Sequence, residues 1–271
     1  MTENRPEDIK EAVLSRYGRH ARQRLEALKQ TQQSCCGPAR EAVVQESTCS
    51  CCSPTPSPAD ANMTHALYSD DELADLPEDV LSSLGCGNPT AIAELKEGES
   101  VLDLGSGGGL DCFLAAQKVG TEGRVMGLDM SADMIQLARR NAIRVGAENV
   151  GFRLGEMEEM PFADNSFDVI ISNCVINLSP DKDAVLREAY RVLKPGGRLR
   201  ASDIVWEREP TPEERSDLAS WSACVAGALV DSDYAEKLRA AGFVNVRLER
   251  KDDRGAEGNL FSAYIGADKA G

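Results

Sequence analysis

The stretch "SVLDLGSGGGLD", residues 100–111, is an apolar run that breaks into clustered glycines and restarts as a helix. A glycine turn between strand and helix lets the backbone approach a ligand closely and leaves amide groups unused at the helix start. The same alternation recurs, with "GRVMGLDMS" as a second strand, "VGFRLGEMEEM" a third, "FDVIISNCV" a fourth and "GRLRASDIVW" a fifth. Helices fit between them, one of which, "DKDAVLREAYRVL", closes on "KPGG". Such alternation argues for a parallel sheet with helices on both faces. "FVNVRLER" and "NLFSAYIGA" complete the sheet, and Pro180 and Pro195 are expected outside the elements.

Upstream of this core, Ile9, Val13, Leu14, Tyr17, Leu25 and Leu28 stand at helical spacing in a charged segment, which predicts one or two amphipathic helices. From Ser34 to about residue 62 the composition shifts to Cys, Ser, Pro and Ala, a mobile linker unable to build a core. "YSDDELADLPEDVLSSLGCGNP" reads as a helix ending in a glycine-rich turn, and residues 210–241 as a helical cap. The expected division is therefore 1–69 for the N-terminal helices and Cys-rich linker, 70–209 for the ligand-binding domain, and 210–271 for the cap and the last strands.

The chain's 271 residues suffice for one such core with length to spare. With 45 acidic against 30 basic residues the net charge is -15, which disfavours nucleic acid and anionic membranes as partners. No apolar run approaches the roughly 20 residues that span a bilayer, and the N-terminus lacks a basic region followed by a hydrophobic one. A cytoplasmic protein is expected, with nothing that demands more than a monomer. Nine cysteines in a reducing compartment point to metal binding or redox chemistry rather than structural bridges.

The turn does not match the dinucleotide fingerprint, because Leu110 stands where its third glycine is expected. Asp103, beside the turn, suits a cationic ligand better than a pyrophosphate. Roughly 20 residues later Asp129 ends the second strand, where a carboxylate can accept hydrogen bonds from ribose hydroxyls. With "PFADNSFDVIIS" and "EAYRVLKPGGRL", this series resembles the class I S-adenosylmethionine-dependent methyltransferases over roughly residues 70 to 268. The resemblance implies a Rossmann-like α/β fold with a mostly parallel seven-stranded sheet, an N-terminal helical extension and a helical substrate cap. It implies that Asp103, Gly105 and Gly107 hold the methionine end of the cofactor and Asp129 the ribose. Met130 then flanks the adenine, Glu156 and Met157 close on its edge, and Asn173 at the fourth strand's end joins the cofactor-binding set.

Oxygen and carbon nucleophiles usually need a base, and the two histidines, His20 and His65, lie upstream of the sheet. Carboxylates remain available as bases, so this is suggestive only. Cysteine selects soft centres. Cys174 follows the fourth strand at the cofactor end of the sheet, Cys224 lies in the cap, and Cys86 in "SLGCGNP" can fold back over the domain. Three thiols converging there form a pyramidal site that suits trivalent arsenic. Cys112, in the helix after the glycine turn, reads as a small core residue.

"SLGCGNP", "ISNCVINLSPDK", Cys224, the "RYG" at residues 16–18 and the Cys35–Cys36 pair together resemble the arsenite methyltransferases. That resemblance implies methyl transfer from S-adenosylmethionine to trivalent arsenic bound by Cys86, Cys174 and Cys224, the arsenic arriving as arsenite, thiol adducts or methylarsenite in a detoxification role. It also implies a thiol reductant, glutathione or thioredoxin, with Cys35 and Cys36 as relay thiols. Cys49, Cys51 and Cys52 fall outside the pattern, and their spacing lacks that of structural zinc modules. Two rival functions stay open: a methyltransferase of small organic substrates, and a non-catalytic thiol-rich metalloid-binding protein.

Overall fold

The computed structural model describes residues 4–34, 64–81, 84–254 and 259–271. Its helices are α1 (Pro6–Ser34), α2 (Asp70–Leu73), α3 (Pro89–Ile92), α4 (Leu110–Val119), α5 (Ala132–Val145), α6 (Lys182–Val192), α7 (Pro212–Ser216), α8 (Leu218–Ser222) and α9 (Asp231–Ala240). The strands are β1 (Ser100–Leu104), β2 (Arg124–Asp129), β3 (Val150–Leu154), β4 (Phe167–Asn173), β5 (Leu193–Trp206), β6 (Leu229–Val230), β7 (Val244–Arg254) and β8 (Leu260–Asp268). The linker expected after residue 34, with Cys35, Cys36, Cys49, Cys51 and Cys52, lies outside the described residues.

The strands form one sheet in the order β3-β2-β1-β4-β5-β8-β7. β1 to β5 run parallel, and β8 is antiparallel to both β5 and β7. Among the described residues there is an eighth strand beyond the seven expected: β6, two residues long, pairs with β5 inside the segment expected to be wholly helical. β1 and β4 are buried along nearly their whole length, because helices cover both faces and continuous apolar runs are then required. The chain leaves β1 toward β2 on one side and returns as β4 on the other, so a crevice opens beyond their carboxyl ends.

Two further expectations need correction, while the N-terminal segment falls within the one or two helices expected. Pro195 falls inside β5, where the β4–β5 pairing jumps from Phe167↔Leu193 to Val169↔Arg198. The residues left over on β5 form a bulge that asks no ladder donor of a proline. Among the described residues the segment at 68–88 shows α2 and a short 3₁₀ turn at Glu78–Val80 rather than one continuous helix. The N-terminal segment is a single helix that buries Ile9, Val13, Ala21, Leu25 and Leu28 along one stripe. No helix among the described residues is long and apolar enough to cross a membrane.

Beneath the sheet, Asp203 on β5 is fully buried and accepts a hydrogen bond from Tyr234 on α9 (2.9 Å). Burial pushes this carboxyl up to about 7, against the opposing pull of the Tyr234 hydroxyl and the Lys182 charge. The unfolded chain releases that proton near 3.8 and the folded chain near 7, so the folded state binds more protons in between. Stability is therefore expected to fall as pH rises through this window, by as much as roughly 4 kcal/mol, and to level off above it. Asp111, pushed up to about 6 by burial, adds to the same trend, whereas Lys182, pulled down to about 8, titrates above it. Urea unfolding at pH 5 and pH 7.5 should show the loss in the parent and a smaller loss in Asp203→Asn.

Candidate active site

A single crevice gathers the carboxyl ends of β1, β2 and β4 and is walled on its outer side by α1. Gly105 and Gly107 both take left-handed backbone, with φ of 66° and 51°. A Cβ at Gly105 would lie 2.4 Å from the Val175 side chain, whereas at Gly107 it would meet nothing. The turn is thus closed on its protein side and open toward the crevice. The Gly107 N–H donates to Asp129 Oδ2 (3.0 Å) and the Ser131 N–H to Oδ1 (2.8 Å), which fix the Asp129 carboxylate at the crevice wall. Burial nevertheless pushes its carboxyl up.

The second acidic position is not the one expected. Asp103 is 2% exposed, lies behind the wall, and accepts a hydrogen bond from the Cys112 thiol (3.2 Å). Burial, followed by the charge of Asp111, pushes its carboxyl well up. Cys112 is a buried residue, as expected, but one with a polar partner. Asp111, at the start of α4, faces the crevice instead; it accepts from the Tyr68 hydroxyl (2.9 Å) and from Asn173 Nδ2 (3.1 Å).

Met130 and Met157 both line the crevice with Leu128 and Met134, which together make an apolar strip. Glu156 does not; its side chain is 52% exposed and pairs with Lys10 of α1. Glu158 lines the crevice in its place. Lys10, Leu14, Tyr17, His20 and Arg24, all from α1, complete the lining. His20 therefore reaches the crevice although its sequence position lies far upstream of the sheet. Only long-range packing places α1 there, so no local pattern announced it.

At one end of the crevice the structure brings Cys86, Cys174 and Cys224 together, each no more than 4% exposed and packed in one cluster with Val13, Leu178, Ile204 and Trp206. Cys174 lines the crevice itself. Hydrogen bonds with the Cys224 and Cys86 thiols, then burial, raise the Cys174 thiol well above its ordinary range. Cys174 and Cys224 have φ of 62° and 65°, a conformation that costs a non-glycine residue on the order of 1 kcal/mol or more. Local hydrogen bonds hold it: the Cys174 N–H donates to the Ser202 carbonyl (2.7 Å) and the Cys224 N–H to the Trp221 carbonyl (2.9 Å).

Two of the thiols also face polar partners. Cys224 Sγ donates to the Cys174 carbonyl (2.7 Å), Cys86 Sγ to the Ser202 carbonyl (3.5 Å), and the Tyr17 hydroxyl lies 3.9 Å from Cys224 Sγ. Among the described residues no three Cys, His, Asp or Glu side chains stand ready as a metal cage. Ligation by this trio requires the S–H bonds to break and Cys224 to turn from the carbonyl it now faces.

Residues 95–244 match the family described as a methyltransferase domain. The chain is 43% identical over 250 residues to an arsenite methyltransferase of Halobacterium salinarum, covering 92% of this chain and 60% of that protein. It is 48% identical over 179 residues to one from Aquipseudomonas alcaligenes, covering 64% of this chain and 51% of that protein. The crystal structure of CrArsM, an arsenic(III) S-adenosylmethionine methyltransferase from Chlamydomonas reinhardtii, is similar with a TM-score of 0.64 at 36% identity, covering 81% of this chain and 75% of that one. The chain belongs to the arsenite methyltransferases.

It spans 60% and 51% of the length of these two curated arsenite methyltransferases. The crevice-lining residues that the sequence did not single out include Asp111, Lys10 and Glu158. Asp111 alone carried a local signal, since a carboxylate in the first turn of a helix faces the positive end of its dipole.

Proposed function

We propose that the chain transfers methyl groups from S-adenosylmethionine to trivalent arsenic held by cysteine thiols. The observation that carries this reading is the cluster of three buried thiols around the end of β4, one of which lines the crevice with the glycine turn. The donor set suits the cofactor. Carboxylates at Asp111 and Asp129 suit a cationic ligand with a ribose diol, and the open face of Gly107 leaves room for it. The methionine-lined strip suits an adenine.

In this reading Asp129 orients the ribose, Asp111 faces the cationic methionine end, and Asp103 acts only through the wall behind them. Bound S-adenosylmethionine supplies an electrophilic methyl group on a sulfonium. Arsenous acid or its glutathione adduct exchanges ligands one at a time: each S–H bond breaks, an As–S bond forms, and water or thiol leaves with the proton. No net charge is created, so an acidic protein does not oppose the exchange. The low exposure of all three cysteines would keep water from the arsenic lone pair, which would take the methyl group as the sulfonium S–C bond breaks and the neutral thioether leaves. A thiol reductant, glutathione or thioredoxin, then returns the arsenic to its trivalent state, with Cys35 and Cys36 as relay thiols.

The same reading assigns residues 1–69 to the N-terminal helix and thiol-bearing linker, 70–209 to the cofactor domain and 210–271 to the cap and final strands. It casts the chain as a cytoplasmic monomer that detoxifies arsenic. Purified protein with arsenite, S-adenosylmethionine and either reductant is expected to yield methylated arsenicals on chromatography with arsenic-specific detection. Cofactor binding without methylated arsenic under both reductants would overturn the assignment.

A further inference from the structure

Asn173 ends β4 inside the crevice, yet its amide is spent on protein rather than left open for a ligand. Oδ1 accepts from the backbone N–H of Cys86 (2.9 Å) and of Gly87 (3.2 Å). Nδ2 donates to the Gly87 carbonyl (2.8 Å), the Tyr68 hydroxyl oxygen (3.0 Å) and Asp111 Oδ2 (3.1 Å). These partners fix which way the amide faces, because two N–H groups on one side demand the oxygen.

The turn is also sterically closed around that side chain. A Cβ at Gly85 would stand 2.2 Å from Asn173 Cγ, and one at Gly87 would stand 2.0 Å from Ser202 Oγ. Both are shorter than any tolerable contact, so the glycines flanking Cys86 let the turn fold between Asn173 and Ser202. Cys86 Sγ then lies against the Ser202 carbonyl (3.5 Å) and hydroxyl (3.7 Å), while Ser262 Oγ donates to the Cys86 carbonyl (3.4 Å). Asn173 thus touches one thiol-bearing residue through its side chain and is bonded to the next, Cys174, through its main chain.

We infer that Asn173 is a positioning residue for the Cys86 thiol: it clamps the Gly85–Gly87 turn against the end of β4 so that Cys86 and Cys174 stand together. This deepens the arsenic-binding reading and rests on it, and it gives Asn173 a role other than holding cofactor. Without the amide two buried N–H groups lose their acceptor, the turn is released, and the Cys86 thiol leaves its neighbours.

The test measures alkylation of Cys86 by N-ethylmaleimide in the full reduced chain, resolved by peptide mass spectrometry. Buried Cys112, in a core cluster separate from that of Cys86, serves as an internal gauge of folding. Asn173→Ala is expected to label Cys86 on the order of ten-fold faster or more, with Cys112 unchanged. Asn173→Asp retains the acceptor but loses the donors, and should fall between Ala and the parent. Arsenite affinity should fall in the same order. Parental labelling of Cys86 in Asn173→Ala, or a matching rise at Cys112, would overturn the inference. If the parent itself binds no arsenite, the arsenic reading fails, and the labelling ratio still decides whether Asn173 holds the turn.

Discussion

Cys174→Ser is expected to lower arsenite methylation at least about 100-fold while leaving S-adenosylmethionine affinity within about three-fold of the parent's. A serine keeps the shape but replaces a soft, readily exchanged ligand by a hard hydroxyl that stays protonated. Cys174 is also the hub of the trio, since it packs with both other cysteines and its carbonyl accepts a hydrogen bond from the Cys224 thiol. Removing it therefore costs more than one ligand: Cys86 and Cys224 lose the residue through which they meet. Cys174 already holds left-handed backbone, and serine has the same Cβ, so the comparison is expected to read chemistry rather than folding. Arsenic speciation after a fixed incubation, with calorimetry for the cofactor, makes the measurement. A variant with more than half the parental rate would mean that arsenic is not methylated on this cysteine.

Asp129→Ala carries the second large effect, a loss of S-adenosylmethionine affinity of about 100-fold or more. Two costs combine. The carboxylate that would meet the ribose disappears, and the N–H groups of Gly107 and Ser131 lose their buried acceptor. The second cost loosens the glycine turn itself. Asp129→Asn retains one acceptor oxygen and should lose distinctly less. The Kd values and the KM for cofactor distinguish these outcomes, and unchanged affinity in the alanine variant would remove Asp129 from the cofactor site.

The core strands were legible because a sheet covered on both faces must be written as apolar runs, and β1 and β4 are so written. The glycine turn and Asp129 were legible because their chemistry depends on short spacings. Pro195 misled because a bulge absorbs a proline that a regular ladder would reject. The exchange of Asp103 for Asp111 was hidden for another reason. On a strand whose faces are both buried, only the covering helix decides whether a carboxylate sees the crevice, and here α4 covers Asp103 with the Cys112 thiol. His20, Tyr17 and Lys10 were invisible as site residues because α1 meets the sheet only after the chain has folded over it.

The placement of α1 has an energetic corollary. One helix lines the cofactor crevice through Lys10, Leu14 and His20 and touches Cys224 through Tyr17, so neither ligand can reshape this wall without the other sensing it. Linkage makes such sensing reciprocal. Whatever factor the methyl donor adds to the affinity for the metalloid, the metalloid must return to the methyl donor, and the order in which the two arrive cannot alter the free energy of the ternary complex.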